Sequence, residues 1–426
     1  MVIRRRPRGR SPMSTPLPPL APLPPLAADT ASSAAAGDAP VVALVNEILK
    51  AAAARDASDI HIEPAEHGWR VRLRIDGALH PFAAPPAHLR DGVVTRLKVL
   101  SRLDIAERRV PQDGRLRIAL APGLTGDYRV SSLPTLHGEK LVLRRLDTLP
   151  ADLSLSSLGF DARQAGALEA AVAAPHGLVL VTGPTGSGKT VTLYCCLQGL
   201  NLASRNLCTI EDPAELQLDG LNQVNVRDKA GLSFAVALRA FLRQDPDVIM
   251  VGEIRDAETA DVALKAAQTG HLVLSTLHTN DAPGAIARLL DIGVAPYHIA
   301  AALRIVTAQR LVRRLCVACR QPSRESIPAL LASGLDPARL EGGWRPFVSA
   351  GCEACHGIGY RGRTGVHQVM VVTDALRERI VARAGSLALT RQAQADGMRS
   401  LREAALARVH DGSTSLDEAC AVAEAG

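Results

Sequence analysis

Residues 183–190 read Gly-Pro-Thr-Gly-Ser-Gly-Lys-Thr, and this stretch decides the fold of the part of the chain around it. It has the pattern of a phosphate loop, in which glycines let backbone N–H groups crowd around phosphate oxygens at the start of a helix. The apolar run 177–182 before it indicates a buried strand, and residues 191–197 after it can continue a helix. Strand, loop and helix in this order predict an α/β nucleotide-binding fold. The alternative is a glycine-rich turn that binds nothing.

The parts of this loop have separate predicted tasks in binding ATP and Mg²⁺. The Lys189 ammonium would reach the β- and γ-phosphates, and the Thr190 hydroxyl would hold Mg²⁺. The chain contains 6 Lys and 43 Arg, so a lysine stands at position 189 where a compact ammonium is required. The residues predicted to bind the nucleotide here are Gly183, Pro184, Thr185, Gly186, Ser187, Gly188, Lys189, Thr190 and Val191.

The composition is that of a globular protein with two or three domains. The chain has 426 residues, of which 47% are hydrophobic. Aromatic residues make up 3%, which leaves little surface for stacking single-stranded nucleic acid. Half of the net charge of +6 lies in residues 1–40, so the remainder is nearly balanced and no nucleic acid is expected as a partner. No apolar stretch approaches the roughly 18–20 residues that a membrane helix needs.

Residues 1–40 are predicted to form a disordered tail. Five arginines between positions 4 and 10 precede a proline-rich run over residues 16–25. A basic start followed by leucines suggests a signal peptide, but the prolines break every apolar run, which favours a polyproline-like tail. The arginines could touch anionic lipid, and a solvated run of charges is the ordinary alternative.

The chain after the tail divides into segments with different patterns. Residues 41–150 predict a small α+β domain, and Asp76-Gly77 within it is a hairpin-turn signal. Over residues 151–310 helices alternate with short apolar strands, which predicts a parallel sheet with crossover helices. Residues 361–426 read as short helices. The predicted strands are 69–75, 115–120, 128–133, 140–146, 178–181, 208–210, 248–251 and 272–275, and a helical stripe runs from Leu89 to Ile105.

Acids and histidines cluster after several of these strands, where open α/β sheets bind ligands. Glu253 follows the strand 248–251, and we assign it to water activation. Glu211 and Asp212 would support the hydration shell of the metal, and His278 would contact the region of the γ-phosphate. Each of these alone is ordinarily a solvated strand end, but together they favour a phosphoryl-transfer site. The other polar residues of the same segments that we assign to the site are Glu215, Arg255 and His271.

Four cysteines form two Cys-x-x-Cys pairs, Cys316 with Cys319 and Cys352 with Cys355. Four thiolates in two such pairs predict a closed tetrahedral Zn²⁺ site without an open position for catalysis. The pairs are 32 residues apart, longer than the commonest spacing, and redox chemistry or chance are the alternatives. Residues 311–360 are therefore a predicted zinc-binding segment. The remaining cysteines are expected to serve only packing: Cys195, Cys196, Cys208 and Cys420.

Ten motifs follow one another along the chain. They are 109–115 (Arg-Val-Pro-Gln-Asp-Gly-Arg), 129–135 (Arg-Val-Ser-Ser-Leu-Pro-Thr), 138–140 (Gly-Glu-Lys), the phosphate loop, 211–213 (Glu-Asp-Pro), 242–247 (Leu-Arg-Gln-Asp-Pro-Asp), 252–256 (Gly-Glu-Ile-Arg-Asp), 269–271 (Thr-Gly-His), 276–280 (Thr-Leu-His-Thr-Asn) and 308–311 (Ala-Gln-Arg-Leu). Together they resemble the secretion-superfamily ATPases, which drive type IV pilus assembly and type II secretion. The resemblance covers about residues 41–426.

The resemblance implies a cytoplasmic homo-hexamer of two-domain subunits, peripheral at the inner membrane of a Gram-negative-type bacterium. ATP would lie in the cleft between the small domain and a RecA-like motor domain, and a membrane platform protein would be the partner. In such proteins the segment 211–215 is called an Asp box and the segment 269–280 a His box. Glu253 corresponds to the catalytic glutamate.

The resemblance also implies roles for five arginines. By position, Arg129 and Arg144 resemble the small-domain arginines that close over the γ-phosphate. Arg239, Arg243 and Arg255 resemble arginines that organise the site or reach it from a neighbouring subunit. The alternative for all five is an ordinary solvated face.

Within this family, the sequence of residues 223–226, 238–243 and 265–270 is more similar to the pilus-assembly motors than to the secretion motors. Two departures stand out. Family members usually carry a further N-terminal domain that docks on the platform protein, where this sequence has only the proline-rich tail. Gln368 also stands where the family usually has a glutamate, a change that does not touch the phosphate chemistry.

The sequence therefore predicts an ATP-hydrolysing motor for assembly of type IV pili or of the type II secretion pseudopilus. One alternative is a nucleic-acid transfer or uptake motor of the same superfamily, which the balanced charge and scarce aromatics disfavour. The other is a scaffold that binds ATP without hydrolysing it, which the intact Lys189, Thr190 and Glu253 disfavour.

Overall fold

Two large β-sheets organise the computed structural model, which describes residues 39–121, 124–146 and 153–424. The first helix begins at Ala39, so the last two residues of the predicted tail are helical. The rest of that tail, with its possible lipid contact, lies outside the described residues. Within the described ranges, no helix is both long and apolar enough to span a bilayer.

The first sheet has six strands, and every neighbouring pair in it is antiparallel. Its strands follow the order β3-β2-β1-β6-β5-β4. The elements of this part are α1 (Ala39–Ala54), β1 (Asp59–Ala65), β2 (Gly68–Ile75), β3 (Ala78–Ala83), α2 (Arg90–Leu100), β4 (Gln112–Ala121), β5 (Leu124–Thr135) and β6 (Gly138–Arg145).

Alternation along β2 explains why one face of this sheet is covered. Trp69, Val71 and Leu73 point to the same side and pack in one core with residues of α1 and α2. Asp76 and Gly77 have φ values of 48° and 86°, as the predicted two-residue turn between β2 and β3 requires. The predicted helical stripe is shorter than expected, because α2 ends at Leu100 and Arg102 has a left-handed φ of 58°.

The second sheet has seven strands in the order β15-β12-β7-β11-β10-β8-β9. The elements up to its sixth strand along the chain are α3 (Ala162–Val172), β7 (Gly177–Thr182), α4 (Lys189–Leu200), β8 (Leu207–Glu211), β9 (Leu221–Asn225), α5 (Phe234–Phe241), β10 (Val248–Val251), α6 (Ala257–Gln268), β11 (Leu272–Leu277), α7 (Ala282–Asp291), α8 (Pro296–Ala302) and β12 (Leu303–Leu315). The elements that follow are β13 (Gln321–Pro322), α9 (Ile327–Ala332), α10 (Pro337–Glu341), β14 (Phe347–Val348), β15 (Tyr360–Val371), α11 (Asp374–Val381), α12 (Ser386–Ala395), α13 (Leu401–His410) and α14 (Leu416–Glu424).

This second sheet is the predicted parallel one. All its neighbouring pairs are parallel except β12 with β15. Every residue of β7, β10 and β11 is buried, because helices cover both faces of the sheet. Because β7, β11 and β10 are neighbours in this order and run parallel, their carboxyl ends lie side by side at one edge of the sheet.

The end of the chain corrects the sequence prediction. Residues 361–371, expected among short helices, belong to β15, and only α11 to α14 after them are helical. β15 pairs with β12, which runs across the expected boundary at residue 310. The helical expectation was wrong for β15 because its buried run contains polar residues such as His367 and Gln368, which hide the apolar pattern of a central strand.

The two sheets are joined through the β2–β3 turn and the segment that precedes and opens β15. The Gly362 N–H donates a hydrogen bond of 2.7 Å to Asp76 Oδ2, and Ile358 packs against the core of the first sheet. Arg363 Nε lies 3.9 Å from Asp76 Oδ1. The six-stranded part thus rests on residues that directly follow Cys352 and Cys355.

Candidate active site

The phosphate loop connects β7, which ends at Thr182, to α4, which begins at Lys189. Gly183 has a φ of 147°, and a Cβ atom there would lie 2.5 Å from the Gln309 carbonyl oxygen. Gly188 has a φ of 85° and is the residue from which α4 starts. The loop therefore needs glycine for both its backbone conformation and its close approach to β12, and its N–H groups open at the positive end of α4.

Lys189 is buried at the base of this loop, with 9% of its surface exposed. Its Nζ donates to the carbonyl oxygens of Gly183 at 2.9 Å and Pro184 at 3.1 Å. Burial lowers the pKa of Lys189, and the Glu253 carboxylate acts in the opposite direction. A phosphate group at the loop would offer this ammonium stronger acceptors than the two carbonyls.

Glu253 stands just past the carboxyl end of β10, where its carboxylate contacts Arg255 and His278. Arg255 donates a hydrogen bond to its Oε1, and His278 Nε2 lies 3.3 Å from its Oε2. Burial raises the pKa of Glu253, but the hydrogen bond and charge of Arg255, with the contribution of His278, bring it below the usual value. The carboxylate is therefore ionised, and Arg255 must withdraw before Glu253 can accept a proton readily.

The Asp box divides into an inward and an outward part. Glu211 is buried and accepts hydrogen bonds from the Tyr194 hydroxyl and from Thr209 Oγ1 at 2.7 Å. The bond from Tyr194 connects its side chain to α4, and both bonds hold it away from solvent. Asp212 is more exposed, and its Oδ2 lies 3.8 Å from Arg255 Nη1, so it neighbours the Glu253 pair. Glu215 is exposed further along this segment.

The two histidines of the His box lie at opposite ends of β11. His278 follows its carboxyl end, whereas His271 precedes its first residue and hydrogen-bonds the Ala266 carbonyl through Nδ1 at 3.2 Å. The Gly177 N–H, at the start of β7, donates to the His271 carbonyl. Since a parallel strand rises roughly 3.3 Å per residue, about 16 Å of β7 separates His271 from the loop. The structure therefore does not bring His271 together with Lys189, and a contact of His271 with the nucleotide stays a prediction.

The small-domain arginines lie on the first sheet. Arg129 and Arg144 are directly paired across β5 and β6, and their side chains are 55% and 69% exposed. Arg144 forms an ion pair with Asp59 at 2.9 Å, and Arg129 lies 4.0 Å from Asp113. They form a cationic row on an open sheet face, and none of their described hydrogen bonds or ion pairs reaches the phosphate loop.

The other two arginines singled out from the sequence lie at the end of α5. Arg239 pairs with Glu258 at 2.7 Å, and Arg243 donates to the Arg239 carbonyl at 3.0 Å. Both side chains are part of the exposed surface around the carboxyl end of this helix.

Two site residues on β12 were missed by sequence reasoning. Gln309 Nε2 donates to the Ser187 carbonyl at 2.6 Å, and its Oε1 accepts from the Thr192 hydroxyl at 2.9 Å. Gln309 thereby clamps the loop to the first turn of α4. Its neighbour Arg310 is buried beside the same loop. The motif at residues 308–311 was the available signal, but it did not indicate that this strand lies next to β7.

The four predicted zinc ligands are brought together. Cys316 Sγ lies 3.9 Å from Cys352 Sγ, Cys319 Sγ lies 3.8 Å from Cys355 Sγ, and all four sulfur atoms are within 4.8 Å of one another. Four sulfurs at about 2.3 Å from a tetrahedral Zn²⁺ would be about 3.8 Å apart, so the set fits the ion.

The backbone around these cysteines also suits thiolate ligands. The N–H groups of Cys352 and Gly359 donate to Cys355 Sγ at 3.2 and 3.1 Å. Burial would raise the pKa of Cys355, but these backbone hydrogen bonds, together with the side chains of Cys352 and Cys319, bring it to about 7. The predicted packing role of Cys195, Cys196 and Cys208 agrees with their burial in the cores on either face of the second sheet.

The chain is similar to known proteins in family, in sequence and in fold. The family described as "Type II/IV secretion system protein" matches residues 34–421. A type IV pilus assembly ATPase PilB of Myxococcus xanthus is 50% identical over 385 residues, which cover 90% of this chain and 68% of that relative. A type II secretion system protein E of Aeromonas hydrophila is 47% identical over 381 residues, which cover 89% of this chain and 75% of the relative.

Two solved structures share the fold. The pilus retraction motor PilT with bound ADP aligns with a TM-score of 0.60 at 27% identity, covering 88% of this chain and 96% of that one. The Legionella pneumophila ATPase DotB aligns with a TM-score of 0.66 at 21% identity, covering 90% of this chain and 96% of that one. The α/β fold with its parallel-rich sheet is thus that of secretion ATPases. On the family match and the sequence identity together, this chain belongs to the type II/IV secretion system protein family.

Proposed function

We propose that this chain is an ATP-hydrolysing motor that powers the assembly of type IV pili or of the type II secretion pseudopilus. The observation that carries the proposal is the convergence of Lys189, Glu253 and His278. They follow β7, β10 and β11, whose carboxyl ends are adjacent in one parallel sheet. Phosphoryl transfer to water needs a phosphate cradle, cations and a group that orients or deprotonates water, and this edge of the sheet has all three.

The residues present suit ATP with Mg²⁺. The N–H groups of the loop and the Lys189 ammonium would bind the phosphates, and the Thr190 hydroxyl would hold Mg²⁺, which supplies charge neutralisation at the β- and γ-phosphates. An entering γ-phosphate would compete with Glu253 for the Arg255 guanidinium. Release of that hydrogen bond would raise the basicity of Glu253 when a substrate is in place.

The inward part of the Asp box has a supporting role in this proposal. Glu211 is held by hydrogen bonds from Tyr194 and Thr209, so it would support the site through α4 without contacting the nucleotide. Asp212 lies near Arg255 and would influence Glu253 through that guanidinium. His278 follows β11, the strand between β7 and β10, and would contact the γ-phosphate region.

The domain division inferred from the sequence completes the proposed motor. Segment 41–150 would close over the nucleotide held by segment 151–310, and Arg129 and Arg144 would meet the γ-phosphate. The ring would be a homo-hexamer, with Arg239 and Arg243 at subunit boundaries. Segment 311–360 would bind Zn²⁺ and segment 361–426 would complete the motor. Hydrolysis would reopen each subunit and move an inner-membrane platform protein from the cytoplasmic side.

Pilus assembly is the more favoured of the two systems. The sequence of residues 223–226, 238–243 and 265–270 supports the assignment to pilus assembly, as does the 50% identity to the Myxococcus xanthus relative. The type II secretion relatives are nearly as similar to this chain as the pilus-assembly relatives, so an experiment is needed to distinguish the two systems.

The test is genetic. The gene is deleted, then restored as the intact chain, as Lys189→Ala or as Asp261→Asn, and surface pili and secreted enzymes are scored. Pili that are lost and rescued by the intact and Asp261→Asn chains, but not by Lys189→Ala, establish the pilus motor. If pili persist and enzyme secretion fails, the chain belongs to type II secretion. If the deletion changes neither pili nor secretion, the proposal is contradicted.

A biochemical assay separates the alternatives from other classes. If the purified chain binds ATP but does not hydrolyse it, the chain is a scaffold. Turnover that rises with added DNA and falls steeply with salt would make it a nucleic-acid motor.

A further inference from the structure

Arg310 is a buried cation beside the phosphate loop that the mechanism above does not use. It lies on β12 two residues beyond Ala308, which is paired with Thr182 at the end of β7. Only 6% of its surface is exposed. No carboxylate of the described ranges forms an ion pair with its guanidinium, and Asp281 is the acid that acts on it from a distance. Burial of a guanidinium without an acidic partner lowers the stability of the fold, so its presence here indicates a functional role.

The hydrogen bonds of Arg310 connect β12 to the turn that carries His278. Its Nη2 donates to the Asn280 carbonyl at 2.8 Å and lies 3.4 Å from Asn280 Oδ1. Its Nη1 donates to the Gln309 carbonyl at 3.2 Å. Since the Gln309 side chain holds the phosphate loop, one pair of adjacent residues ties the loop and the His278 turn to the same strand.

The charge of Arg310 adds to that of Lys189. Burial lowers the pKa of Arg310, and the pKa of Lys189 is lowered first by burial and further by the nearby Arg310. Lys189 and Arg310 are thus two neighbouring buried cations, and within the described ranges no carboxylate forms an ion pair with either of them. A polyphosphate supplies negative charge, and its oxygens are stronger acceptors than the carbonyls that Lys189 now contacts.

We propose that Arg310 is a positioning residue of the nucleotide site, whose planar fork holds the His278 turn for hydrolysis and whose charge favours polyphosphate binding. This inference rests on the proposed ATPase function. The two contributions are separable, because lysine keeps the charge but cannot reproduce the fork, and methionine removes both at a similar length.

The experiment uses the full purified chain as wild type, Arg310→Met and Arg310→Lys, with Arg304→Met as matched control. Arg304 lies on the same strand at the opposite edge of the sheet, where it contacts the His176 carbonyl. For each protein the binding of Mg-ADP and Mg-ATPγS, the kcat for ATP and the melting temperature with and without nucleotide are measured.

Arg310→Met is expected to bind both nucleotides about tenfold more weakly, a loss typical of one charge-assisted contact. Its nucleotide-free melting temperature should stay unchanged or rise, because an unpaired buried charge has been removed. Arg310→Lys should bind within about threefold of wild type yet turn over at least about tenfold more slowly. Arg304→Met should match wild type in binding and turnover.

The inference is overturned if Arg310→Met melts several degrees lower without nucleotide while its Kd and kcat equal those of wild type, since Arg310 would then serve the fold alone. It is also overturned if Arg310→Lys and wild type have the same kcat. Absence of turnover in the wild type contradicts the ATPase proposal itself, and the binding comparison still tests the charge of Arg310.

Discussion

Asp76 Oδ2 accepts a hydrogen bond of 2.7 Å from the backbone N–H of Gly362, across an interval of 286 residues. Asp76 belongs to the hairpin turn of the six-stranded sheet, and Gly362 follows the second cysteine pair. Ile358, between that pair and Gly362, packs into the core of the first sheet. The tetracysteine cluster is therefore one short segment away from this contact between the two sheets.

Removal of metal should loosen this contact. Chelation of Zn²⁺, or Cys355→Ser, is expected to increase hydrogen exchange at residues 352–363 and also at residues 76–82, which contain no ligand. The physical reason is that the segment carrying Ile358 and Gly362 is held on one side by the cysteine cluster. The measurement is hydrogen exchange followed by mass spectrometry, with metal content determined in parallel.

Two substitutions of Asp76 control this prediction. Asp76→Gly tolerates the left-handed φ of 48° and removes the acceptor, so it should raise exchange at Gly362 with zinc retained. Asp76→Asn keeps an acceptor oxygen in the same turn and should behave like wild type. Unchanged exchange at residues 76–82 after complete loss of zinc would refute the link.

Glu253→Gln should retain ATP binding and lose hydrolysis. The amide keeps the shape of the side chain next to Arg255 and His278 but cannot accept a proton, so kcat should fall at least about 100-fold. Binding of a fluorescent ATP analogue and steady-state phosphate release are the two measurements. Asp261→Asn, an exposed change on α6, is the control; turnover of Glu253→Gln close to the control would remove Glu253 from the catalytic role.

How far the sequence predicts the structure depends on how local the cause is. The phosphate loop and α4 follow from adjacent residues, and so does the turn at Asp76-Gly77. β12 and β15 were not predicted, since their pairing joins distant parts of the chain and places polar residues such as Gln368 inside. Gln368 Oε1 accepts from the Ala282 N–H at the start of α7, a partner that no local pattern shows.

The same limit applies to the site. Glu253 and His278 were predicted from their position after strands, and both lie at the same edge of the sheet. His271 was grouped with His278 by motif, but a strand of fixed rise separates the two ends of that motif. Arg310 carries no local signal of its burial, which comes from the packing of β12 beside β7.

Glu63 should make the six-stranded part sensitive to acid. Its side chain is 10% exposed and is bound by Arg72 at 2.8 Å, Lys140 at 3.0 Å and Arg70 at 3.0 Å. Burial raises its pKa, but these three cations lower it to about 2 in the folded protein. Because the folded pKa lies below the unfolded value of roughly 4.3, Glu63 stabilises the fold above that pH and loses its contribution as the pH falls towards 2.

The corresponding variant is Glu63→Gln. At pH 7 it should lower the free energy of unfolding by about 3 kcal/mol, and the difference from wild type should shrink between about pH 4.5 and pH 2. Urea unfolding followed by Trp69 fluorescence in a Trp344→Phe background reports on this sheet, since Trp69 is buried in its core. Glu66→Gln, an exposed change in the next turn, should show no such window; equal pH profiles for both variants would contradict the assignment.

Lys98 and Glu139 form a second, more deeply buried ion pair. Nζ of Lys98 lies 2.8 Å from Oε1 of Glu139, and the side chains are 1% and 6% exposed. Glu139→Ala would leave the Lys98 ammonium buried without its counter-ion, which should cost about 3–5 kcal/mol in the free energy of unfolding. The double variant Lys98→Met with Glu139→Leu removes both charges together and should recover most of that loss. The exposed pair of Lys265 and Asp261, broken by Asp261→Asn, should cost less than about 1 kcal/mol. A loss of similar size for Glu139→Ala and Asp261→Asn would mean that water reaches the Lys98 ammonium, because only hydration could replace the missing carboxylate at so small a cost.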